Sequence, residues 1–285
     1  MLILLLVAAS GLGCQSIGGA GDLTSDSLLK AAAASPNAVT LDIYWARTTL
    51  DDSAFSERLW QSVQEDRIPV ELRCRLADEG LRAGVVDGTP SEEIVELLNP
   101  TGADLDTADE QSNMLSAQPA QVTRRLKQLQ PGKRLELQAS EVVPKFTLLR
   151  GGESGLVGRA FPAAQGIYGV EVSELAAGRV KLRLLPELHH GQPKMKFVNP
   201  APGMMFQRLQ RDVEVFAELE TEVDLSPGEM LVVTSLPGSK HRLGSLLHHT
   251  LEDEAVEQKY LLVRVSQLPQ SEVLASDDDD AWPWK

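Results

Sequence analysis

The chain has 285 residues, of which 42% are hydrophobic and 24% charged, enough for one large domain or two modest ones with a real core. A formal net charge of -14 argues against a nucleic-acid surface and against a polybasic membrane surface, since both need clustered Lys and Arg. Two cysteines are too few for a disulfide framework.

Met1–Leu12 is a short apolar run, too short to span a bilayer as a mature helix. Small residues and Gly13-Cys14 follow, the pattern of a signal segment with its cleavage site. Residues 14–37 are rich in Gly, Ser and Ala and suit a flexible tether. Val39, Leu41, Ile43 and Trp45 alternate, which predicts a strand. Phe55, Leu59, Trp60 and Val63 recur at helical spacing, which predicts an amphipathic helix over 54–65. Trp45 and Trp60 are expected in the core. Val70, Leu72, Cys74 and Leu76 alternate and read as a strand, with Cys74 a small core hydrophobe. Asp78-Glu79-Gly80 joins it to a second strand over 81–86. Thr89-Pro90-Ser91-Glu92 reads as a capping box, with Pro90 at the first helical position and Ile94, Leu97 and Leu98 on the apolar side. Residues 38–100 thus read as a small α/β module.

Residues 101–130 read as a polar linker, with a short helix through Val122, Leu126 and Leu129. From Pro131-Gly132 the pattern becomes β. One strand is expected from Leu135 to Pro144, others over 146–149 and 156–161, with Gly151, Gly152 and Gly155 as turn residues. The central feature is Gln165–Glu187. Tyr168, Val170 and Val172 share one parity, and Val180, Leu182 and Leu184 repeat it after Ala176-Ala177-Gly178, so the segment reads as a β-hairpin. Residues 193–202 read as a loop. Val213–Val223 reads as one alternating strand, 230–236 as an apolar strand after the Ser226–Glu229 turn, and 260–265 as the last strand. Residues 268–285 read as a disordered acidic tail carrying Asp277–Asp280, Trp282 and Trp284.

The fold class expected is α+β, a small α/β module followed by a mainly antiparallel β domain. Two resemblances sharpen it. Cys14 directly after Gly13 resembles a bacterial lipoprotein signal, which implies a lipidated Cys14 as the first mature residue; a plain secretory cleavage nearby and a Cys14–Cys74 disulfide are the alternatives. Pro131-Gly132-Lys133, Glu141–Pro144, the paired runs Gly166–Val172 and Gly178–Leu184, Pro227-Gly228-Glu229 before Leu231–Val233, and Leu243–Leu247 resemble the secretin core, the β-rich part of bacterial outer-membrane secretin channels. This likeness spans residues 131–267. The stretch from Glu187 to Val213 reads as too short for the gate strands or lipid-facing hairpin of a channel, so the resemblance implies the fold with the pore lost.

No residue set promises catalysis. His189-His190 and His248-His249 suggest a metal site, but adjacent residues on a strand face opposite ways, and solvated loop histidines are the plainer reading. Asp51-Asp52, Glu92-Glu93 and Glu252-Asp253-Glu254 fit helix starts and loops. No nucleophile elbow, phosphate-binding glycine loop or HExxH occurs. The expectation is a non-enzymatic bacterial envelope protein without cofactor, anchored at Cys14 and facing the periplasm, that binds a protein partner or itself through β edges. Trp282 and Trp284 are the candidate partner-binding residues. The alternatives are a minimal secretin-type pore subunit, a soluble periplasmic or secreted protein, and a hydrolase using scattered carboxylates and His.

Overall fold

A computed structural model describes residues 37–49, 53–98, 121–152, 155–175, 178–201, 204–252 and 255–269. In chain order these form β1 (Val39–Thr49), α1 (Ser53–Gln61), α2 (Val70–Asp78), β2 (Leu81–Val86), α3 (Glu92–Leu98), β3 (Val122–Leu129), β4 (Arg134–Gln138), β5 (Val143–Gly152), β6 (Gly155–Leu175), β7 (Arg179–Ala201), β8 (Met204–Val215), β9 (Thr221–Leu225), β10 (Met230–Ser235), α4 (Leu243–His248), β11 (His249–Glu252) and β12 (Ala255–Gln267). The fold is mostly antiparallel β with few helices, as the coarse reading expects. Cys14, Asp51, Asp52, Asp253, Glu254, Asp277–Asp280, Trp282 and Trp284 lie outside the described residues.

The first sheet runs β2-β10-β12-β1-β3, with β11 on β12. Its central strands are buried on both faces, which is why Met230–Ser235 and Tyr260–Val265 read as nearly unbroken apolar runs. Leu41, Ile43, Leu231, Val233, Leu261 and Val263 point to one core. Tyr44, Ala46, Val232, Tyr260 and Leu262 point to the other, against Phe55, Leu59 and Trp60 of α1 and Ile94 and Leu97 of α3. The second sheet runs β4-β6-β7-β8, with β5 on β6 and β9 on β7. Its Tyr168, Val170, Val172, Val180, Leu182 and Leu184 join the first core, so the two sheets share one interior.

Several sequence expectations are corrected. Residues 38–100 make no sheet of their own: β1 lies between β12 and β3, and β2 pairs with β10. Val70–Asp78 is a helix, not a strand. Leu72 and Leu76 are one helical turn apart and buried, while Val70 and Cys74 are exposed, so Cys74 is no core residue. A spacing of four satisfies both an alternating and a helical pattern, and the intervening Glu and Arg residues favour helix. The third helix starts at Glu92, with the Ser91 hydroxyl accepting from the Ile94 N–H at 3.5 Å, so Ser91 caps it in place of Thr89. The expected helix over 120–130 is the edge strand β3, paired along its length to β1, with Leu126 exposed. Tertiary pairing overrides its helical spacing. The strand expected over 135–144 is two, β4 and β5, with partners at different levels of β6. Residues 193–201, read as loop, belong to β7. Pro193 and Pro200 fall at the two interruptions of the β7–β8 ladder, where no N–H is needed. Val213–Val223 breaks at Phe216 into β8 and β9, which flank different halves of β7. Leu268, placed in the tail, packs against the core.

One joint fixes how the short α4 seats. A Cβ on Gly244 would lie 2.0 Å from the Gly80 carbonyl oxygen, and the Gly244 N–H donates to Glu79 O at 2.9 Å. Gly80 itself holds φ 74°, which favours glycine. Gly244→Ala is expected to destabilise the fold by about 3 kcal/mol, the upper range for overpacking. Gly151→Ala, where nothing lies within 4 Å, is expected to be nearly neutral. Urea unfolding midpoints of the two variants check this.

Candidate binding groove

The β6–β7 ladder holds from Leu175↔Arg179 to Gln165↔His189, then stops. Beyond it β6 pairs only with β5, and β7 with β8, so one sheet divides into two ribbons. Both strands carry irregular residues at the fork. Ala163 has φ 47° beside Pro162, and Gly191 has φ 74° two residues before Pro193. Prolines and bulges of this kind end pairing and turn a strand aside.

The β7–β8 ribbon is amphipathic. Met195 stands opposite Leu209, Val213 opposite His189, and Val215 opposite Glu187. Met195, Leu209, Val213 and Val215 are exposed, Leu209 at 62%. Lys194, Gln210, Asp212 and Glu214 occupy the alternate positions, with a Lys194–Asp212 ion pair at 3.0 Å. β8 ends the path of its sheet, so its outer edge is open among the described residues. The expectation that no long amphipathic hairpin lies between Glu187 and Val213 is therefore corrected.

The apolar face of this ribbon bounds a groove of about 990 Å³, lined also by Arg134, Glu136, Glu187, His189 and Arg211. Glu187 is buried at its floor. Arg134 crosses β6 to reach it at 2.6 Å, and His189 Nε2 meets the same oxygen at 3.0 Å. Gly169 makes the crossing possible: a Cβ there would lie 3.0 Å from the Arg134 guanidinium. Burial pushes the Glu187 carboxyl up, but the hydrogen bonds of His189 and Arg134 and the Arg134 charge outweigh it and hold the carboxyl below its usual range. A histidine backed by a buried carboxylate resembles a general base. Here the guanidinium shares that carboxylate, and among the described residues no Ser, Thr or Cys lines the groove.

The other sequence candidates fall elsewhere. His190 faces away from His189 and packs edge-on to Phe161, ring centres 4.9 Å apart. The reading of His248 as a solvated loop residue is corrected. It is fully buried; its Nδ1–H donates to Lys259 O at 2.9 Å, and Tyr168 Oη–H donates to Nε2 at 2.7 Å. Since a carbonyl only accepts, this fixes the neutral tautomer. Burial, together with the nearby Lys259 charge, pushes the His248 pKa down to about 3. Lys259 is buried under Trp45, 5.6 Å from its ring centre, and donates to Ala139 O. Its pKa is lowered to about 8, chiefly by burial. Burial likewise lowers the pKa of His249. Glu92 and Glu93 stand in the first turn of α3, and Glu252 ends β11. No group of His, Cys, Asp or Glu suited to a metal occurs among the described residues. No described helix is long and apolar enough to cross a membrane. Comparison with known proteins gives no match to any family model, curated protein or solved structure.

Sequence reasoning missed Glu187, Arg134 and Lys259. Two signals were present: a glycine in mid-strand at 169, which marks a close approach, and a carboxylate set between Pro186 and Leu188.

Arg134→Met is expected to cost about 2 kcal/mol at pH 7, less than breaking a wholly buried pair because the Arg134 side chain is 38% exposed. Glu187 has a depressed pKa in the folded state, so the stability it contributes is present above the unfolded value of 4.5 and lost as pH falls through the folded one. The variant's deficit should shrink over that acid range in chemical denaturation. The buried bases act at other pH values. An unfolded His248 takes up a proton below pH 6.5 while the folded one does so only near 3, so stability should fall across that window. Lys259 is neutral above pH 8 when folded but protonated to 10.5 when unfolded, so stability should rise from pH 8 towards 10.5. Lys259→Met should abolish the alkaline rise and leave the acid fall in place.

Proposed function

We propose that this is a non-enzymatic, exported bacterial envelope protein that acts in assembly by binding, with the β7–β8 ribbon as its contact surface. The observation that carries this is an exposed apolar row, Met195, Leu209, Val213 and Val215, beside the open edge of β8. An unpaired edge offers a row of N–H and C=O groups to an added strand, and the apolar face adds burial. The described residues around the groove supply a satisfied ion cluster and no nucleophile, which supports binding over hydrolysis. Export and attachment through Cys14 rest on the signal-like start of the chain.

A second copy of the chain is the partner the ribbon suits best, since one molecule then supplies both edges. The secretin-like reading of residues 131–267 agrees with this: a two-layer β core giving rise to long β-ribbons is a body from which a ring could be built. A pore subunit is the second reading. The amphipathic ribbon favours it, because β8 has 12 residues and a membrane-crossing strand needs about 9–11. Arg211, on the apolar face, counts against a lipid-facing band.

Sedimentation of the mature protein over a wide concentration range tests the proposal. The expected result is concentration-dependent assembly, reduced by Leu209→Asp with Val213→Asp, both at exposed positions where the fold should tolerate a charge. A monomer at high concentration that also binds no envelope protein would end the reading. Conductance steps in planar bilayers, lost in the same variant, would favour the pore.

A further inference from the structure

β2 ends the path of the first sheet, so one of its edges faces away from β10. Among the described residues a single bridge covers that edge. The Gln64 N–H donates to Val85 O at 2.8 Å, and the Val85 N–H donates to Gln64 O at 3.0 Å. On the other side the Leu236 N–H donates to Gly80 O at 2.8 Å. Backbone groups of alternate residues on a strand point the same way, so Gly80, Arg82, Gly84 and Val86 bond towards β10 while Leu81, Ala83 and Val85 turn outward. Continued in register past Gln64, the chain would set Asp66 opposite Ala83 and Ile68 opposite Leu81. It leaves the edge instead in a short 3₁₀ turn over Glu65–Arg67, and α2 begins at Val70. The outward N–H and C=O groups of Leu81 and Ala83 are thereby left bare of a strand.

α2 stands beside this stretch of edge and encloses with it a cleft of about 360 Å³. Val70, Arg73, Cys74 and Ala77 recur at helical spacing, so one face of α2 forms a wall of the cleft, with Leu81 and Ala83 of β2 on the other side. The helix packs on the core through Leu72 and Leu76, which leaves Val70, Cys74 and Ala77 exposed. Arg73 supplies a charge. Its Nε is buried and has no hydrogen-bond partner. The second cation of the cleft, Arg82, is paired with Glu65 and lies over the Trp60 ring, 4.2 Å from its centre. Glu65 is the one carboxylate among the described lining residues, so Arg73 remains a spare positive charge in a chain of net charge -14.

We infer that this cleft is a peptide-binding site, which takes an extended acidic segment of another polypeptide as an added strand on β2 and sets a carboxylate of that segment on Arg73. A strand laid there meets the outward backbone groups of Leu81 and Ala83, and main-chain hydrogen bonds of this kind hold a peptide whatever its sequence. Its side chains alternate, so one row lies against Val70, Cys74 and Ala77 and selects apolar residues. The buried Arg73 Nε gives the acidic preference, since a carboxylate accepts from a guanidinium more strongly than a neutral group does. The cleft is on the first sheet and shares no lining residue with the groove beside the β7–β8 ribbon, so this inference does not rest on the assembly reading above.

The test selects displayed random peptides on the full mature chain, then titrates synthetic copies of the enriched sequences by fluorescence anisotropy. The expected result is a set of peptides that alternate apolar residues and carry an Asp or Glu. Arg73→Glu should weaken them about tenfold, and Lys in place of the peptide carboxylate should restore binding to that variant. Val70→Asp should weaken them too, with the far-ultraviolet dichroism unchanged, because Val70 is exposed in the first turn of α2, where a helix favours a carboxylate. Methylating one alternate set of peptide nitrogens should abolish binding, and methylating the other set should leave it intact, since only one set faces β2. The absence of any enriched peptide overturns the inference, as does binding that Arg73→Glu and Val70→Asp leave unaltered or that survives methylation of either set. Peptides lost only in Leu209→Asp with Val213→Asp belong to the ribbon and also overturn it. A chain that stays monomeric yet binds these peptides at Arg73 upholds the cleft and removes self-assembly.

Discussion

The pairing of β6 with β7 over 165–175 and 179–189 is the constraint on which the other parts depend. Its inner row, Tyr168, Val170, Val172, Val180, Leu182 and Leu184, is buried against the first sheet. Each such aliphatic contributes about 2 kcal/mol of burial, so this ladder is costly to open. β4 and β9 attach to its flanks, β5 and β8 to its continuations. Because side chains alternate, the same ladder also fixes the outer row. Gly169 and Glu187 share that outer face, and Arg134 of β4 lies across it. The groove is thus a consequence of register: a one-residue slip would bury Arg183 and expose Leu182.

This central hairpin was legible because its apolar residues keep one parity for the length of both strands and the turn residues are unambiguous. β1, β2, β10 and β12 were legible for a similar reason, as apolar runs too short for helices. What could not be read was which strand neighbours which. β1 and β12 stand more than 200 residues apart yet pair along β1, and nothing local in Val39–Thr49 points to its partner. The errors of type share one cause. In Val70–Leu76 a spacing of four fits both periods and in Val122–Leu129 the spacing is helical, yet in each the surroundings decide: α2 closes the side of the core with Leu72 and Leu76, while β3 finds the free edge of β1. The ribbons were illegible for a different reason. Pro193 and Pro200 look like loop residues, but a ribbon tolerates proline wherever its ladder is interrupted.

The groove was the least legible part. Its components come from β4, β7 and β8, and none carries a motif. Glu187 is the single carboxylate of β7, and its meaning depends on Arg134, which is 53 positions away in sequence. The buried junction of Tyr168, His248, Lys259 and Trp45 is similar in kind. It joins the two sheets through polar groups that are nearly all satisfied, where a methyl-lined contact would serve packing as well. Satisfied buried polar groups specify one arrangement more sharply than apolar ones, because any shift leaves a donor or acceptor unpaired. Here they fix the second sheet on the first and so set the direction in which the ribbons leave.

The fork follows from the same logic carried to the edge of the core. A straight continuation of the β6–β7 ladder past Gln165 and His189 would give one broad four-stranded sheet. Pro162 and Pro193 remove N–H groups on the two strands that would have to pair, and Ala163 and Gly191 turn both strands aside at that level. An alanine at φ 47° costs on the order of 1 kcal/mol, which a chain selected for stability alone would have relieved with glycine. The two sides of the fork differ in their tethers, so the arrangement is not a symmetric splay. One ribbon is fastened to α2 and the α4 approach by Arg150 and Leu149, and the other leaves the body with an apolar face and an open edge. Such an edge would be an aggregation hazard in a chain meant to stay alone, and the protein guards another edge strand, β3, with Arg124, Arg125 and Lys127. That β8 presents Leu209, Val213 and Val215 instead is the strongest physical reason for reading it as a surface to be covered.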